Sequence, residues 1–178
     1  MEPLWKNVTT YRHGKKTLYD IFTKFLNNAN MELVKIEDSH VAFANKFTIN
    51  KNGQHFELHL ILKNLCDSGW KEKPWIKRIQ IGHIENLPET TEKQAFMLAG
   101  IGFYNDKPLF VLWNGLRYIY HKTIRSAYVD VSSLEKALQK GYHYCNDYNN
   151  EIFICTEQNF EILFNKYFDF SYIEKIDI

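Results

Sequence analysis

Apolar residues spaced three and four positions apart indicate one helix near the start of the chain. This spacing places them on a single helix face. The residues are Leu18, Ile21, Phe22, Phe25 and Leu26. The polar run at residues 27–30 ends the helix. We predict an N-terminal helical extension over residues 1–31.

Most of the remaining chain has the period of two that is typical of strands. In Gln54–Leu65, which follows the turn signal Asn52-Gly53, apolar and polar residues alternate, so one face of that strand is expected to meet water. We predict strands over Met31–Ile36, His40–Ile49, Gln54–Leu65, Trp75–Ile84 and Arg125–Val131, and hairpins joining Gly100–Tyr104 to Pro108–Trp113 and Tyr142–Asn146 to Glu151–Cys155.

Three further helices are predicted among these strands. The first spans Thr91–Ala99. The second follows the capping box Ser132-x-x-Glu135 and stops at Gly141. The third begins at Thr156 and closes the domain.

The number and order of these elements favour one mainly β domain with inserted short helices, an α+β chain. At 178 residues the length suits a single domain. At least seven short strands without regular βαβ alternation favour a closed or nearly closed antiparallel barrel with helices at its ends. With 45% hydrophobic and 24% charged residues, the composition argues against disorder. We expect the barrel over residues 32–168 and the start of a linker over 169–178.

Basic charge is concentrated in two central stretches, although the formal net charge is only +1. Lys63–Arg78 contains five basic residues and two acids, and Asn114–Ser126 contains three basic residues and no acid. An acidic segment, Asp147–Ile178, balances them. Duplex DNA binding needs cations for phosphates and flat amide or guanidinium groups for base edges. Both stretches supply these groups beside aromatic residues, so we expect double-stranded DNA as the partner.

Other function classes find little support. The chain has three cysteines, Cys66, Cys145 and Cys155, an odd number that does not suggest a disulfide framework. It has no recognisable signal sequence and no apolar run of about 20 residues. We therefore expect a cytoplasmic protein without membrane contact. The common nucleotide-binding and hydrolase motifs are absent, so we expect no catalysis and no cofactor.

Two metal-dependent alternatives stay open at this point. Asp38 and Glu57 would suit a metal-dependent nuclease, but Glu57-Leu58-His59 lacks the lysine of such a site. His55, Glu57 and His59 share a strand face and could hold a metal ion, although a solvated strand face has the same pattern. We expect no metal site.

Several segments occur in an order that resembles a known family. They are Lys77–Gly82, a short helix, Leu98–Tyr104, Leu109–Asn114, Ser126–Val129 and a capped helix ending at Gly141. This order resembles the B3-like DNA-recognition domains of restriction enzymes of the EcoRII, BfiI and NgoAVII type. The resemblance covers Glu32–Phe168 and is greatest to the N-terminal domain of LlaJI-type, McrB-like AAA+ restriction subunits.

The resemblance implies a seven-stranded pseudobarrel that grips the major groove of a specific duplex site with two loops. These are an N-arm on Cys66–Arg78 and a C-arm on Asn114–Ser126. It also implies an AAA+ motor domain C-terminal in the parent chain and a McrC-like nuclease subunit as partner. The contact residues expected in the N-arm are Asp67, Ser68, Trp70, Lys71, Lys73, Lys77 and Arg78. Those expected in the C-arm are Asn114, Arg117, Tyr118, Tyr120, His121, Lys122, Arg125 and Ser126.

An alternative function is the reading of modified bases. In that case a flipped, methylated base would sit in an aromatic pocket built from Trp70, Trp75 and Trp113. Binding to duplexes with and without methylated bases separates the two functions.

Overall fold

Strands dominate the structure, a computed structural model in which residues 3–10, 12–84, 94–118 and 125–165 are described. The two α-helices are α1 (Lys15–Asn28) and α2 (Val131–Lys140), short 3-10 turns cover Leu4–Asn7, Gly115–Tyr118 and Glu157–Asn159, and residues 160–165 are helical. The strands are β1 (Val8–Thr9), β2 (Met31–Asp38), β3 (Asn45–Lys51), β4 (Gln54–Asn64), β5 (Cys66–Asp67), β6 (Ile76–Ile81), β7 (Gln94–Tyr104), β8 (Lys107–Trp113), β9 (Arg125–Asp130), β10 (Tyr142–Asp147) and β11 (Asn150–Cys155).

These strands form two open sheets. The large sheet has the order β10-β11-β8-β7-β4-β3-β2, with β1 also paired to β7, and the small sheet has the order β5-β6-β9. The mainly β class is therefore confirmed. The seven-stranded pseudobarrel is not confirmed, because the described residues contain eleven strands in two separate sheets. The prediction that all strands pair antiparallel is also wrong for one pair, because β4 and β7 run parallel.

Residues 94–99 are strand rather than helix, which corrects the helix predicted over Thr91–Ala99. Ala95–Ala99 is a continuous apolar run, all of it buried, and periodicity alone does not tell such a run from a buried helix. The run pairs with β4 on one side, and from Leu98 onward with β8 on the other. A strand buried on both faces and paired on both edges has no reason to alternate. The first part of the predicted helix lies outside the described residues.

One face of the large sheet is covered by α1 and helical residues 160–165. Phe22 stacks on Phe110 with ring centroids 5.6 Å apart, and Phe160 meets Phe110 edge-on at 5.3 Å. All three rings are fully buried. The amphipathic N-terminal helix is therefore confirmed, and its apolar face is part of the core.

The other face of the large sheet packs against the small sheet and α2. Ile79 and Val129 of the small sheet join Trp113 of β8 in one buried cluster. The indole Nε1 of Trp113 donates a 2.9 Å hydrogen bond to the carbonyl of Tyr128. The small sheet is thus held to the large one through its inner face.

Helix α2 begins at a different cap from the one predicted. The Asp130 carboxylate accepts a hydrogen bond from the backbone N–H of Ser132 at 2.9 Å, so Asp130 is the N-cap. Ser132 lies inside the helix, and the predicted capping box is wrong by two residues. Gly141 ends α2 with φ +88°, as predicted. Among the helices of the described residues, none has the length and apolar character needed to cross a bilayer.

Candidate nucleic-acid interface

The small sheet holds the base of both predicted arms on neighbouring strands. Cys66 of β5 pairs with Arg78 of β6, which closes the N-arm, and Gln80 of β6 pairs with Ser126 of β9, where the C-arm ends. The Arg78 guanidinium donates a 3.2 Å hydrogen bond from Nη1 to Ser126 Oγ. The structure therefore brings the end of one arm against the end of the other.

Strand alternation divides the small sheet into an apolar inner face and a polar outer face. Ile79, Ile81, Ala127 and Val129 are fully buried and face the core. Because residues paired directly across an antiparallel ladder share a face, the outer face carries Arg78 opposite Tyr128 and Gln80 opposite Ser126. We call these four residues the outer face of the small sheet.

The N-arm is a folded loop with its own hydrogen bonds. The backbone N–H of Lys73 donates to the Trp70 carbonyl at 2.9 Å, and that of Ile76 donates to the Lys73 carbonyl at 3.1 Å. Ser68 is buried, and its Oγ accepts a 3.2 Å hydrogen bond from the Trp70 N–H. Ser68 therefore shapes the loop instead of offering its hydroxyl to a ligand. Lys71 and Lys73, by contrast, are exposed.

An aromatic group joins the N-arm to the outer face. Trp70 is 46% exposed and stacks on Tyr128 with a centroid distance of 4.9 Å and an interplanar angle of 19°. Tyr148, in the turn between β10 and β11, meets Tyr128 edge-on at 6.1 Å. The Lys73 ammonium lies 5.5 Å from the centre of the Trp70 ring, a cation–π contact. The ring thus holds one arm cation beside the open face.

Lys77 does not offer the exposed cation that the sequence predicts. It shares strand parity with Ile79 and Ile81, so its side chain turns inward and is only 4% exposed. Its ammonium is bonded to the carboxylate of Asp67, which is itself 68% exposed. The expectation that Lys77 presents a free charge to phosphate is therefore wrong, and the Lys77–Asp67 pair ties β6 to β5.

The C-arm is only partly within the described residues. Tyr120, His121, Lys122 and the side chain of Arg117 lie outside them. The Asn114 side chain lies 3.5 Å from Glu151 Oε2, and its backbone N–H bonds the Glu151 carbonyl at 3.3 Å.

Two other C-arm residues are placed differently from one another. Tyr118 is 6% exposed and belongs to the core cluster, which corrects its predicted place on the binding surface. Arg125 is exposed at the start of β9. Of these two, Arg125 is the one available to a ligand.

The face of β4 that was predicted to be exposed to solvent is partly buried. His59 is buried; its Nδ1 lies 2.6 Å from Ser39 Oγ, and its Nε2 lies 3.2 Å from Gln94 Nε2. Burial, followed by the nearby His40, lowers the pKa of His59. Within the described ranges, no three His, Cys, Asp or Glu side chains lie close enough together to hold a metal ion. His59 is therefore bound into the fold.

The pocket of three tryptophans does not form. Trp113 is fully buried in the core, whereas Trp70 and Trp75 are exposed at 46% and 43%. A flipped base could not reach Trp113 without unfolding the contact between the two sheets. This corrects the aromatic pocket of the modified-base alternative.

Charge counting missed the aromatic and amide part of this surface. Tyr128, Tyr148 and Gln80 carry no charge and lie outside both arms, so the search for basic stretches passed over them. The available signal was parity. Once Ile79 and Ala127 are placed inward, Gln80 and Tyr128 must point outward.

The methylase-associated X1 family has a family model that matches residues 56–164, well over half of the chain. The match includes both arms, the small sheet and α2, and it excludes α1, β2 and β3. No curated protein and no solved structure matches the chain.

Proposed function

We propose that this chain, which belongs to the methylase-associated X1 family, is the target-recognition domain of a restriction–modification system and binds a specific site in duplex DNA. The association of this family with restriction–modification methylases supports a DNA-related role. The specific recognition of duplex sequence is the step that we add.

The observation that carries the proposal is that both arms end on one small sheet with an open outer face. Lys71 and Lys73 lie exposed at one end of this face. Arg125 is exposed at the other end of the small sheet, where it pairs with Ile81 and has the strand parity of the inner face. Exposed cations at both ends of the small sheet suit contact with DNA phosphates. Arg78 and Ser126, already bonded to each other, lie between them.

The division of labour follows from side-chain chemistry. Lysine is a flexible point charge and suits phosphate contact, whereas the planar guanidinium of arginine pairs with guanine O6 and N7. We assign phosphate contact to Lys71 and Lys73, and base contact to Arg117 of the C-arm. Trp70 holds the Lys73 ammonium over its ring and keeps the arm against Tyr128.

The finer identity is part of the same proposal. The B3-like relation, an AAA+ motor C-terminal in the parent chain and a McrC-like nuclease partner are expectations from the family resemblance. We also propose that this domain binds without catalysis, so that cleavage depends on a partner. Incubation of the protein with its selected site and Mg²⁺ tests this, and cleavage by the purified chain would overturn it.

Salt titration of binding is the first test of DNA recognition. Each phosphate neutralised contributes about −0.9 to the slope of log K against log salt. With three to six cations engaged, we expect a slope of about −3 to −5. A slope near zero would remove the DNA proposal.

The arm lysines supply a sharper version of this test. The double substitution Lys71→Ala/Lys73→Ala should flatten the slope by about two units and weaken specific and random duplexes in parallel. The matched control is Lys16→Ala/Lys24→Ala, which removes the same charge from exposed positions on α1. If both pairs of substitutions act alike, general charge and not the N-arm governs binding.

Selection from a random duplex pool tests specificity. We expect a recurring site, and binding to that site should fall when random duplex replaces it. Repeating the selection with methylated cytosine or adenine shows whether modified bases are preferred. Recovery of unrelated sequences at equal affinity would leave a non-specific DNA binder and overturn target recognition.

A further inference from the structure

Gln80 is the polar residue of the outer face whose side chain stays uncommitted. Arg78 and Ser126 bond to each other, and Tyr128 stacks with Trp70. The Gln80 side chain is exposed, and its amide has no hydrogen-bond partner among the described residues. The outer face therefore presents the unbonded amide of Gln80 beside Arg78 and Ser126, which are bonded to each other.

The sheet is narrow where Gln80 lies. β5 pairs with β6 only at Lys77 and Arg78, so the sheet beyond these residues is the two-stranded ribbon of β6 and β9. Neighbouring strands lie about 4.8 Å apart, and the B-DNA major groove, about 12 Å wide, admits a two-stranded ribbon. The ribbon can enter the groove with its outer face toward the base edges.

An amide has a definite preference among base edges. Its N–H₂ donates and its oxygen accepts, which matches adenine N7 and N6 in the major groove. Guanine offers two acceptors there and cytosine one donor, so neither satisfies both groups of the amide. The Arg78 guanidinium beside Gln80 is already bonded to Ser126 Oγ at 3.2 Å, so the Gln80 amide is the group left to contact a base.

We propose that Gln80 is a specificity-determining residue that reads one adenine in the major groove through a bidentate amide contact. This rests on the proposed duplex recognition and assigns a base to a residue outside both arms. The strands, and not only the loops, would then contact the bases.

The test compares pool selections for the wild type and Gln80→Ala. The wild-type site should contain one A·T pair at which Gln80→Ala loses discrimination by roughly 5- to 150-fold, while the other positions keep theirs. Gln80→Glu should shift preference at the same position toward C·G, because a carboxylate accepts from cytosine N4. Gln54→Ala, an exposed glutamine in the β3–β4 hairpin, is the matched control and should leave the site unchanged.

A substitution in the DNA completes a double-mutant cycle between Gln80 and the adenine. Replacing that adenine by 7-deazaadenine removes N7 and should weaken binding of the wild type but not of Gln80→Ala. Melting curves of all variants should coincide, since the side chain is exposed. If the wild type selects no site, the proposed function itself fails. If the wild type selects a site and Gln80→Ala selects it with equal discrimination, or weakens every sequence equally, Gln80 does not read a base.

Discussion

The large and small sheets differ in how many of their faces are covered. The central strands of the large sheet are packed on both sides, and nearly every residue of β7 is buried. The small sheet packs only its inner face, with Ile79 and Val129 in the core and Gln80 exposed on the other side. Its outer face is also the place where the two arms end.

This difference separates stability from binding. Substitution in a sheet packed on both faces removes core contacts whichever way the side chain points. Substitution on the outer face of the small sheet removes a potential ligand contact and little packing. We therefore expect variants in the central strands of the large sheet to change the free energy of unfolding, and outer-face variants of the small sheet to change DNA affinity.

The largest expected effect is that of Trp113→Ala. The ring is fully buried between the sheets and bonds the Tyr128 carbonyl, so its removal should lower the free energy of unfolding by about 3–5 kcal/mol. Urea denaturation measures this. The control Trp75→Ala, at an exposed position, should change it by much less. Equal effects of the two substitutions would contradict the buried position of Trp113.

A smaller change in the free energy of unfolding is expected at Lys77, which is buried in the small sheet. Asp67→Ala leaves the Lys77 ammonium without its partner and should destabilise the protein by about 1–3 kcal/mol. Adding Lys77→Met should restore much of this loss, because the buried charge is then gone. Glu72→Ala, an exposed acid of the same loop, is the control. If Asp67→Ala is neutral and Lys77→Met alone abolishes DNA binding, Lys77 is a ligand after all.

The helix cap beside the outer face gives the third effect. Asp130→Ala removes the N-cap of α2 and should cost about 1 kcal/mol in unfolding free energy, whereas Ser132→Ala should change it by less than about 0.5 kcal/mol. Tyr148→Phe removes only the 3.0 Å hydrogen bond that the Tyr148 hydroxyl donates to Asp130, so its unfolding free energy measures that bond separately from the cap. A larger loss from Ser132→Ala would restore the predicted capping box.

Sequence predicted best where structure is decided locally. Asn52-Gly53 has φ values of +53° and +78°, and Asn105-Asp106 has +49° and +61°, conformations that these residue types tolerate in tight hairpins. Gly141 ended a helix for the same reason. Charge clustering also marked the loop between β5 and β6, in which Lys71 and Lys73 are exposed; its role as a DNA-binding arm stays a prediction.

The failures have non-local causes. The strand at Gln94–Ala99 depends on a parallel partner, β4, about forty residues earlier in the chain, and its Ala, Met and Leu residues have no intrinsic preference for strands. Trp113 lies in an apolar run that is buried on both faces, so its sequence does not show which way the ring points. The position of Lys77 was predictable, since it shares parity with Ile79 and Ile81, but charge counting ignores parity.

The smallest effect expected is a dependence of stability on pH, which should again differ between the two sheets. In the large sheet, burial lowers the pKa of His59, with His40 and Lys46 acting in the same direction and Glu57 opposing them. In the small sheet the buried charge is Lys77, which is paired. Acid sensitivity near neutral pH should therefore come from outside the small sheet.

The sign follows from proton binding. A histidine whose pKa is lower in the folded protein binds its proton more readily after unfolding, so stability is full above the ordinary value of 6.5 and is lost as the pH falls below it. His143, on β10, has a pKa lowered first by burial and then by Lys136, so it acts in the same direction.

We expect the urea midpoint of the wild type to decrease as the pH is lowered from 7.5 to 5.5. The substitution His59→Gln, which keeps a donor and an acceptor but cannot titrate, should reduce that decrease. His143→Gln is the matched control for the second group. If both single variants keep the full acid loss of the wild type, the titrating group lies elsewhere, and the assignment of acid sensitivity to His59 and His143 is wrong.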